Sequence, residues 1–159
     1  MSVFISHSTR DDSIATFVRL ALHTRGVSSY ADHFDSAAGS TRHITRLLVR
    51  RINDCTHLLA IITRATITSW WVPFEIGVAR QGNRRITTFN RHRLILPDYL
   101  TEWPVLTSYD EFGAFAKTYL SDTQRMIIAL EEKHASVTSE GLTSPDTFHR
   151  QLKTRLGQS

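Results

Sequence analysis

The sequence contains a single cysteine, Cys55, and no long hydrophobic run. One thiol cannot form a disulfide within the chain, which is typical of proteins from a reducing compartment. No stretch approaches the roughly 18 consecutive apolar residues that a membrane-spanning helix requires. The first residues, MSVFISHS, also lack the basic and then apolar segments of a secretory signal peptide. We therefore predict a cytoplasmic protein that is not embedded in a membrane.

Several motifs of well-known enzyme classes are also missing. The eight histidines are scattered, without a His-Glu-x-x-His pattern or a cysteine pair, so we predict no metal site. There is no Gly-x-Gly-x-x-Gly and no Walker loop, so hydride transfer by a bound dinucleotide cofactor is not indicated. A Gly-x-Ser-x-Gly elbow is absent as well, which argues against a serine hydrolase. Cys55 has no activating partner in sequence and His57 borders an apolar run, so both are predicted to be structural.

What is present is the composition of one globular domain. The chain has 159 residues, of which 41% are hydrophobic and 21% charged. The formal charge is +4, and Arg42, Arg46 and Arg50 would form one positive stripe on a helix. Such a stripe can bind phosphates or simply face solvent. Because no aromatic residues lie between the arginines, the sequence gives nucleic-acid binding little support.

Strand and helix patterns alternate along the chain. The strand patterns are VFIS (3–6), VSSYAD (27–32), HLLAIIT (57–63), RITTF (85–89) and WPVLTSY (103–109). Helical patterns cover residues 12–26, 41–53 and 110–134, and another helix opens between Ser69 and Pro73. This alternation predicts an α/β fold with a central, mainly parallel sheet of about five strands and helices on both faces. HLLAIIT is the most continuous apolar run, so it is predicted to be the central strand, buried on both sides.

The composition changes after His134, where large apolar residues become few. We therefore predict one domain over residues 1–134. The remainder, 135–159, is predicted to be a linker or loose tail that can hold a short helix from Asp146 to Leu156.

One acidic residue, Glu75, has apolar neighbours in the sequence. Glu75 stands between Phe74 and Ile76 in the stretch SWWVPFEIGVARQ, residues 69–81. Glu75 is either a solvent-facing acid near a helix N-terminus, where acids are favoured, or a group that the fold uses for chemistry. Ligands of parallel sheets bind beyond the carboxyl ends of the strands. The polar loops SHSTRDD and DHFDSAAGS would meet Glu75 at that edge.

These residues resemble the Toll/interleukin-1 receptor (TIR) domain family in its bacterial single-domain form. VFISHSTRD is similar to the first strand and loop of the family, YADHFDSAAGS to its BB loop, and INDCTHLLAIIT to the end of its second helix and its third strand. Ser69, Trp71 and Glu75 match the family's Ser-x-Trp-x-x-x-Glu motif. The resemblance runs over about residues 2–120. It implies a three-layer α/β/α fold of the flavodoxin-like type.

The resemblance also implies an activity and a site. Many such TIR domains cleave NAD+ at the nicotinamide–ribose bond, and some form cyclic ADP-ribose isomers. The resemblance assigns the catalytic role to Glu75, with NAD+ as substrate and no separate cofactor. It assigns contacts with the dinucleotide to residues of the first loop and the BB loop: His7, Ser8, Thr9, Ser36, Ala37 and Gly39. Trp71, one helical turn before Glu75, either stacks on a ring of the substrate or packs in the core.

Three functions remain open at this point. The first is an NAD-cleaving enzyme of bacterial defence or signalling, whose product a downstream effector would sense. The second is a TIR domain that only self-associates, and the third is a basic nucleic-acid-binding protein. In TIR enzymes the BB loop is a contact surface between copies, so the resemblance implies a homo-oligomer. The four-residue offset from Trp71 to Glu75 favours the enzyme.

Overall fold

The computed structural model describes residues 1–31, 41–133 and 144–159. Its strands are β1 (Val3–Ser6), β2 (Ser29–Ala31), β3 (His57–Ile61), β4 (Arg85–Phe89) and β5 (Val105–Leu106). Its helices are α1 (Asp12–His23), α2 (Thr41–Asp54), α3 (Arg64–Ile67), α4 (Trp71–Gln81), α5 (Asp98–Thr101), α6 (Phe112–Lys133) and α7 (Pro145–Leu156). A single 3₁₀ turn, Thr9–Asp11, precedes α1.

The five described strands form one sheet in the order β2-β1-β3-β4-β5. Every pair of neighbours is parallel. β3 lies in the middle of the sheet, and all five of its residues are buried. The predicted parallel sheet of five strands is therefore confirmed, and so is the central position of the HLLAIIT strand.

Alternation along the strands divides the core into two layers. Ile5, Leu59 and Phe89 face α1, α6 and α7 on one side of the sheet. Phe4, Leu58 and Ile86 face α2 and α4 on the other. Because successive side chains of a strand point to opposite faces, a strand that is apolar at every position must be covered on both sides. This is the three-layer α/β/α architecture that the sequence predicts.

The observed elements differ from the predicted ones where they are short. β5 has two residues, whereas the pattern WPVLTSY predicts a strand of up to seven. Trp103 packs into the α4-side core ahead of the strand, which accounts for the apolar start of that pattern. α3 and α5 have four residues each, too few for helical periodicity to appear in the sequence. The side chain of Thr63 and that of Thr66 form a capping box that starts α3.

α7 spans the segment for which a short helix is predicted, and it packs against α6 and β4. Ser144 caps its first turn, Pro145 occupies a first-turn position and Gly157 ends it in the left-handed conformation at φ 68°. Phe148 and Leu152 are fully buried in the core layer that holds α1 and α6. The C-terminal helix thus contributes to the same hydrophobic core as the sheet.

A buried ionic group lies at the edge of the sheet where β3 and β4 begin. Arg85 Nε donates to Asp122 Oδ2 at 2.8 Å, and His57 Nε2 lies 3.5 Å from the same oxygen. Burial raises the pKa of the Asp122 carboxyl against the opposing effect of the Arg85 charge. Burial also lowers the pKa of His57 well below its usual value. The imidazole packs 4.7 Å from the rings of both Tyr119 and Phe148, as a structural histidine would.

The longest described helix, α6, has 22 residues and carries charged side chains along its length. Among the residues that the structure describes, no helix combines the length and the apolar character needed to cross a membrane.

Candidate active site

Glu75 lies on the side of α4 that faces the core. The buried residues of this helix are Val72, Glu75, Ile76 and Ala79, which recur at the three- and four-residue spacing of one helix face. Only 6% of the Glu75 surface is exposed. Glu75 is therefore not the solvent-facing acid of the first interpretation. Acidic side chains rarely occupy such positions, because removing a carboxylate from water is unfavourable.

α4 places Glu75 close to the sheet. The helix packs against β1, β3, β4 and α2, in the same layer as Phe4 and Leu58. It begins at Trp71, after β3 and the short helix α3. Pro73 is tolerated in its first turn, because backbone N–H groups there have no acceptor within the helix. The second turn then brings Glu75 over the sheet near the edge at which ligands of parallel sheets bind.

The three residues of the Ser-x-Trp-x-x-x-Glu motif have different surroundings. Ser69 Oγ accepts a hydrogen bond from the Trp71 backbone N–H at 3.2 Å, so the serine fixes the start of α4. Trp71 is 37% exposed, and its ring meets that of Phe74 edge-on at 6.0 Å. The indole of Trp71 is thus partly open to solvent, while the carboxylate one turn later is enclosed. This arrangement leaves an aromatic surface available one helical turn from a buried carboxyl group.

Hydrogen bonds within the loop after β1 fix the positions of His7 and Ser8. His7 Nε2 lies 3.2 Å from Asp12 Oδ1, and His7 Nδ1 lies 3.3 Å from the carbonyl oxygen of Ile5. Ser8 Oγ accepts from the Arg10 N–H at 3.4 Å and caps the 3₁₀ turn, in which Thr9 is exposed. The His7 imidazole is engaged within the loop, whereas Thr9 remains accessible.

The side chain of Asp11 connects this loop to the loop that follows β3, a contact that the sequence did not predict. The buried Asp11 carboxylate accepts from Thr63 Oγ1 at 2.7 Å, and Thr66 Oγ1 lies 3.4 Å from the same oxygen. The two loops follow β1 and β3, the neighbouring strands between which the chain order reverses. Ligands of such sheets bind in the crevice at this reversal. No local signal in HSTRDD distinguishes Asp11, because its partners are 52 and 55 residues away.

Ser6 is a second residue that the sequence analysis missed. It ends β1 and lies on the same face of the strand as Phe4, which packs in the layer of α4. Its hydroxyl is buried and has no hydrogen-bonding partner among the residues that the structure describes. The Thr88 hydroxyl of β4 is also buried without a partner among these residues, and it lies on the same face of the sheet as Ser6. Buried polar atoms usually have partners, so these hydroxyls mark positions where a ligand or water can bind.

Three of the predicted contacts, Ser36, Ala37 and Gly39, lie outside the described residues. Of the arginine stripe, Arg46 and Arg50 are exposed on α2, as a solvated helix face would be. The side chain of Arg42 is outside the described part of the chain.

The described histidine, cysteine and acidic residues do not form a group of three or more that could hold a metal ion. Burial raises the pKa of the Cys55 thiol, and Ser2 Oγ donates to its sulfur at 3.3 Å. A protonated buried thiol is a poor nucleophile. Cys55 therefore fits a structural role.

The parallel order 2-1-3-4-5 and the enclosed glutamate of α4 define a flavodoxin-like α/β protein with a candidate site near the carboxyl edge of its sheet. Residues 3–109 match the family model of the TIR domain. The match covers more than half of the chain, so the protein belongs to the TIR domain family. No curated protein has a matching sequence.

Proposed function

We propose that this TIR domain cleaves NAD+ at the bond between nicotinamide and ribose, with Glu75 as the catalytic carboxylate. The observation that carries the proposal is the burial of Glu75 on the core-facing side of α4, with 6% of its surface exposed. Acidic side chains are seldom buried to this extent, so a buried glutamate on this helix is a candidate for a functional role. Family membership supports the proposal, since NAD cleavage occurs in TIR domains that carry this glutamate.

The chemistry needs one well-placed negative charge. When the bond between ribose C1′ and the nicotinamide nitrogen breaks, the electron pair leaves with nicotinamide, which departs as a neutral molecule. The ribosyl group that remains has oxocarbenium character, and a carboxylate stabilises its positive charge. Water then adds at C1′ and releases one proton, which gives ADP-ribose. Attack by a nucleophile of the same molecule would instead give a cyclic isomer.

The surroundings of Glu75 suit this role. A charge interaction is stronger in an apolar environment than in water, and Val72 and Ile76 flank the carboxylate on its helix face. In our proposal the partly exposed indole of Trp71 stacks on the nicotinamide or adenine ring. Ser8 and Thr9 of the first loop, together with the hydroxyl of Ser6, would contact the ribose or phosphates. The roles of His7, Ser36, Ala37 and Gly39 remain predictions from the family.

Assembly is part of the proposal. TIR domains commonly self-associate, and the family's enzymes use neighbouring copies to complete the pocket. We expect a homo-oligomer with the BB-loop region as a contact surface. A role in bacterial defence or signalling follows if a downstream effector senses the product.

The direct test incubates the purified chain with NAD+ at several protein concentrations and identifies the products by mass spectrometry. We expect nicotinamide together with ADP-ribose or a cyclic isomer of it. Nicotinamide release that is absent in the wild type at high protein concentration and under crowding would contradict the proposal.

A non-enzymatic interaction module is the second candidate, and a different observation favours it. Trp70 is 91% exposed. Ile95, which is 97% exposed, and Ile67 line an apolar cavity of about 330 Å³. Large exposed apolar groups often mark protein contacts. If this function is the correct one, Trp70→Ser would abolish self-association measured by light scattering, and the wild type would leave NAD+ intact.

A further inference from the structure

A groove of about 450 Å³ lies beside α7, near the edge of the sheet where the strands begin. Arg80 of α4 and Trp103 line one side, and His149, Arg150 and Lys153 of α7 line the other. α7 lies beyond the segment that matches the family, residues 3–109. The α7 side of the groove therefore lies outside the family match, whereas Arg80 and Trp103 lie within it.

The hydrogen bond between α7 and β4 fixes the tautomer of His149. The backbone N–H of Ile86 donates to His149 Nε2 at 2.9 Å. Because a backbone amide can only donate, Nε2 carries no proton, and the hydrogen of the neutral ring is on Nδ1. Burial is the largest cause of a pKa of about 4 for His149, and the charges of Arg80, Arg85 and Lys153 contribute to it against the opposing effect of Asp146. The ring therefore stays neutral at physiological pH.

Nδ1–H is the ring donor that the hydrogen bond to Ile86 does not use. His149 is 7% exposed and lines the groove, and its Nδ1–H has no partner in the described part of the chain. Nδ1 is not one of the buried polar atoms that lack a partner, so this N–H reaches the solvent of the groove. A ligand that enters the groove can therefore accept a hydrogen bond from it.

The charges around this donor favour an anion. Arg80 and Arg150 are exposed, and no ion pair or hydrogen bond holds their guanidinium groups within the described residues. Lys153 Nζ donates to the carbonyl oxygens of Thr101 and Ser159 at 3.1 and 3.2 Å, which fixes its ammonium group at the wall of the groove.

Two acids, Glu102 and Asp146, also line the groove and oppose these cations. Cations near helix C-termini such as Arg80 and Lys153 also stabilise the helix dipole. That ordinary role does not involve the Nδ1–H of His149, which is open to the groove.

We propose that this groove binds the oxyanion of a phosphate or phosphate ester. One oxygen accepts from His149 Nδ1–H, and the guanidinium groups of Arg80 and Arg150 flank the anion, since arginine suits the geometry of phosphate oxygens. Glu75 is not part of this site, so the inference does not depend on NAD cleavage. A phosphate-bearing ligand seated there would join α7 to α4 and so strengthen the packing of the C-terminal helix.

The test titrates the full chain with inorganic phosphate, and separately with adenosine monophosphate, at low ionic strength. NMR of the ¹⁵N-labelled protein follows the His149 imidazole nitrogens. We expect saturable binding that shifts the Nδ1 signal of His149. Tighter binding of the monophosphate than of phosphate identifies an ester as the ligand, and equal binding identifies a free oxyanion.

Four variants make the test specific. Arg80→Gln and Arg150→Gln should each weaken binding about tenfold, the loss expected for one charge-assisted hydrogen bond. Arg19→Gln changes an exposed arginine of α1 outside the groove and should have no effect. Binding that never saturates, or that Arg19→Gln weakens as much as Arg80→Gln, would overturn the proposal. Glu75→Gln should bind phosphate normally, which separates this site from NAD cleavage.

Discussion

Asp11 Oδ2 accepts a 2.7 Å hydrogen bond from Thr63 Oγ1, and this buried contact joins the loops that follow two adjacent strands. Thr63 also caps α3, the short helix that leads to α4 and hence to Glu75. A single carboxylate thus fixes the first loop relative to the segment that carries the candidate catalytic residue. Its effect on both stability and activity can be measured.

We expect Asp11→Ala to lower the free energy of unfolding by about 1–3 kcal/mol, because the substitution leaves the buried hydroxyl of Thr63 without its acceptor. Urea unfolding of the two proteins measures the difference. The same variant should weaken NAD+ binding, since the first loop loses its anchor to α3.

A double-mutant cycle with Thr63→Val isolates the contact. The coupling between Asp11→Ala and Thr63→Val should fall within about 0.5–3 kcal/mol, the range found for residues in one hydrogen-bond network. Effects that simply add would show that the two side chains do not interact. Thr68→Val, at an exposed hydroxyl beyond α3, is a suitable control and should change stability little.

The central fold could be predicted from the sequence because its strongest patterns are long. HLLAIIT is apolar at consecutive positions, and the helices that become α1, α2 and α6 show regular apolar spacing. The four-residue helices α3 and α5 escaped prediction because they are shorter than two helical turns. Their formation depends on capping and on tertiary packing instead of periodicity.

The candidate site was predictable only in part. The position of Glu75 in the chain marks it as unusual, but periodicity alone could not decide between solvent and core, since α4 is apolar on more than one face. The burial of Glu75 emerges only when α4 packs against β1, β3 and α2. Ser6 and Asp11 could not be recognised at all. Their importance comes from residues far away in sequence.

The buried histidines predict how stability changes with pH. His149 has a pKa of about 4 in the folded protein and 6.5 in its ordinary state. Between these values the unfolded chain binds more protons than the folded one, so stability is fully present above 6.5 and falls as the pH drops toward 4. The expected slope is about 1.4 kcal/mol per pH unit for each histidine in this window. His57, whose pKa is also lowered, acts in the same direction.

Urea unfolding between pH 7 and pH 5 measures this slope. His149→Gln keeps an oxygen that can accept from the Ile86 N–H but does not titrate, so it should reduce the slope. His23→Gln alters an exposed histidine of α1 and should leave the slope as it is in the wild type. Asp122 acts in the opposite direction because burial raises its pKa, but its contribution is common to all three proteins. An equal slope in wild type and His149→Gln would show that this imidazole titrates normally.

Association should appear in the concentration dependence of activity. If neighbouring copies complete the pocket, doubling the protein concentration should more than double the rate of NAD+ cleavage. The measurement combines initial rates over a wide concentration range with light scattering of the same samples. A strictly linear rate, together with a monomer in solution, would show that one chain contains the whole site.

Glu75→Gln is the most direct test of the proposed chemistry. Glutamine preserves the size and hydrogen-bonding reach of the side chain but removes the charge that stabilises the ribosyl cation. We expect the rate of NAD+ cleavage to fall by roughly 100-fold or more, the loss seen when one preorganised electrostatic group is removed. Nicotinamide release at equal protein concentration provides the measurement, and thermal melting shows whether the fold is preserved.

A control variant tests whether the effect is specific to the Glu75 carboxylate or follows from removing any glutamate charge. Glu131→Gln replaces an exposed glutamate of α6 and should cleave NAD+ at the wild-type rate. Melting curves of both variants and of the wild type show whether a loss of activity is accompanied by a loss of stability. A stable Glu75→Gln protein that cleaves NAD+ as fast as Glu131→Gln would show that the buried carboxylate is not catalytic. A Glu75→Gln protein that is inactive but melts at the wild-type temperature would show that the carboxylate acts in the reaction and is not needed for folding.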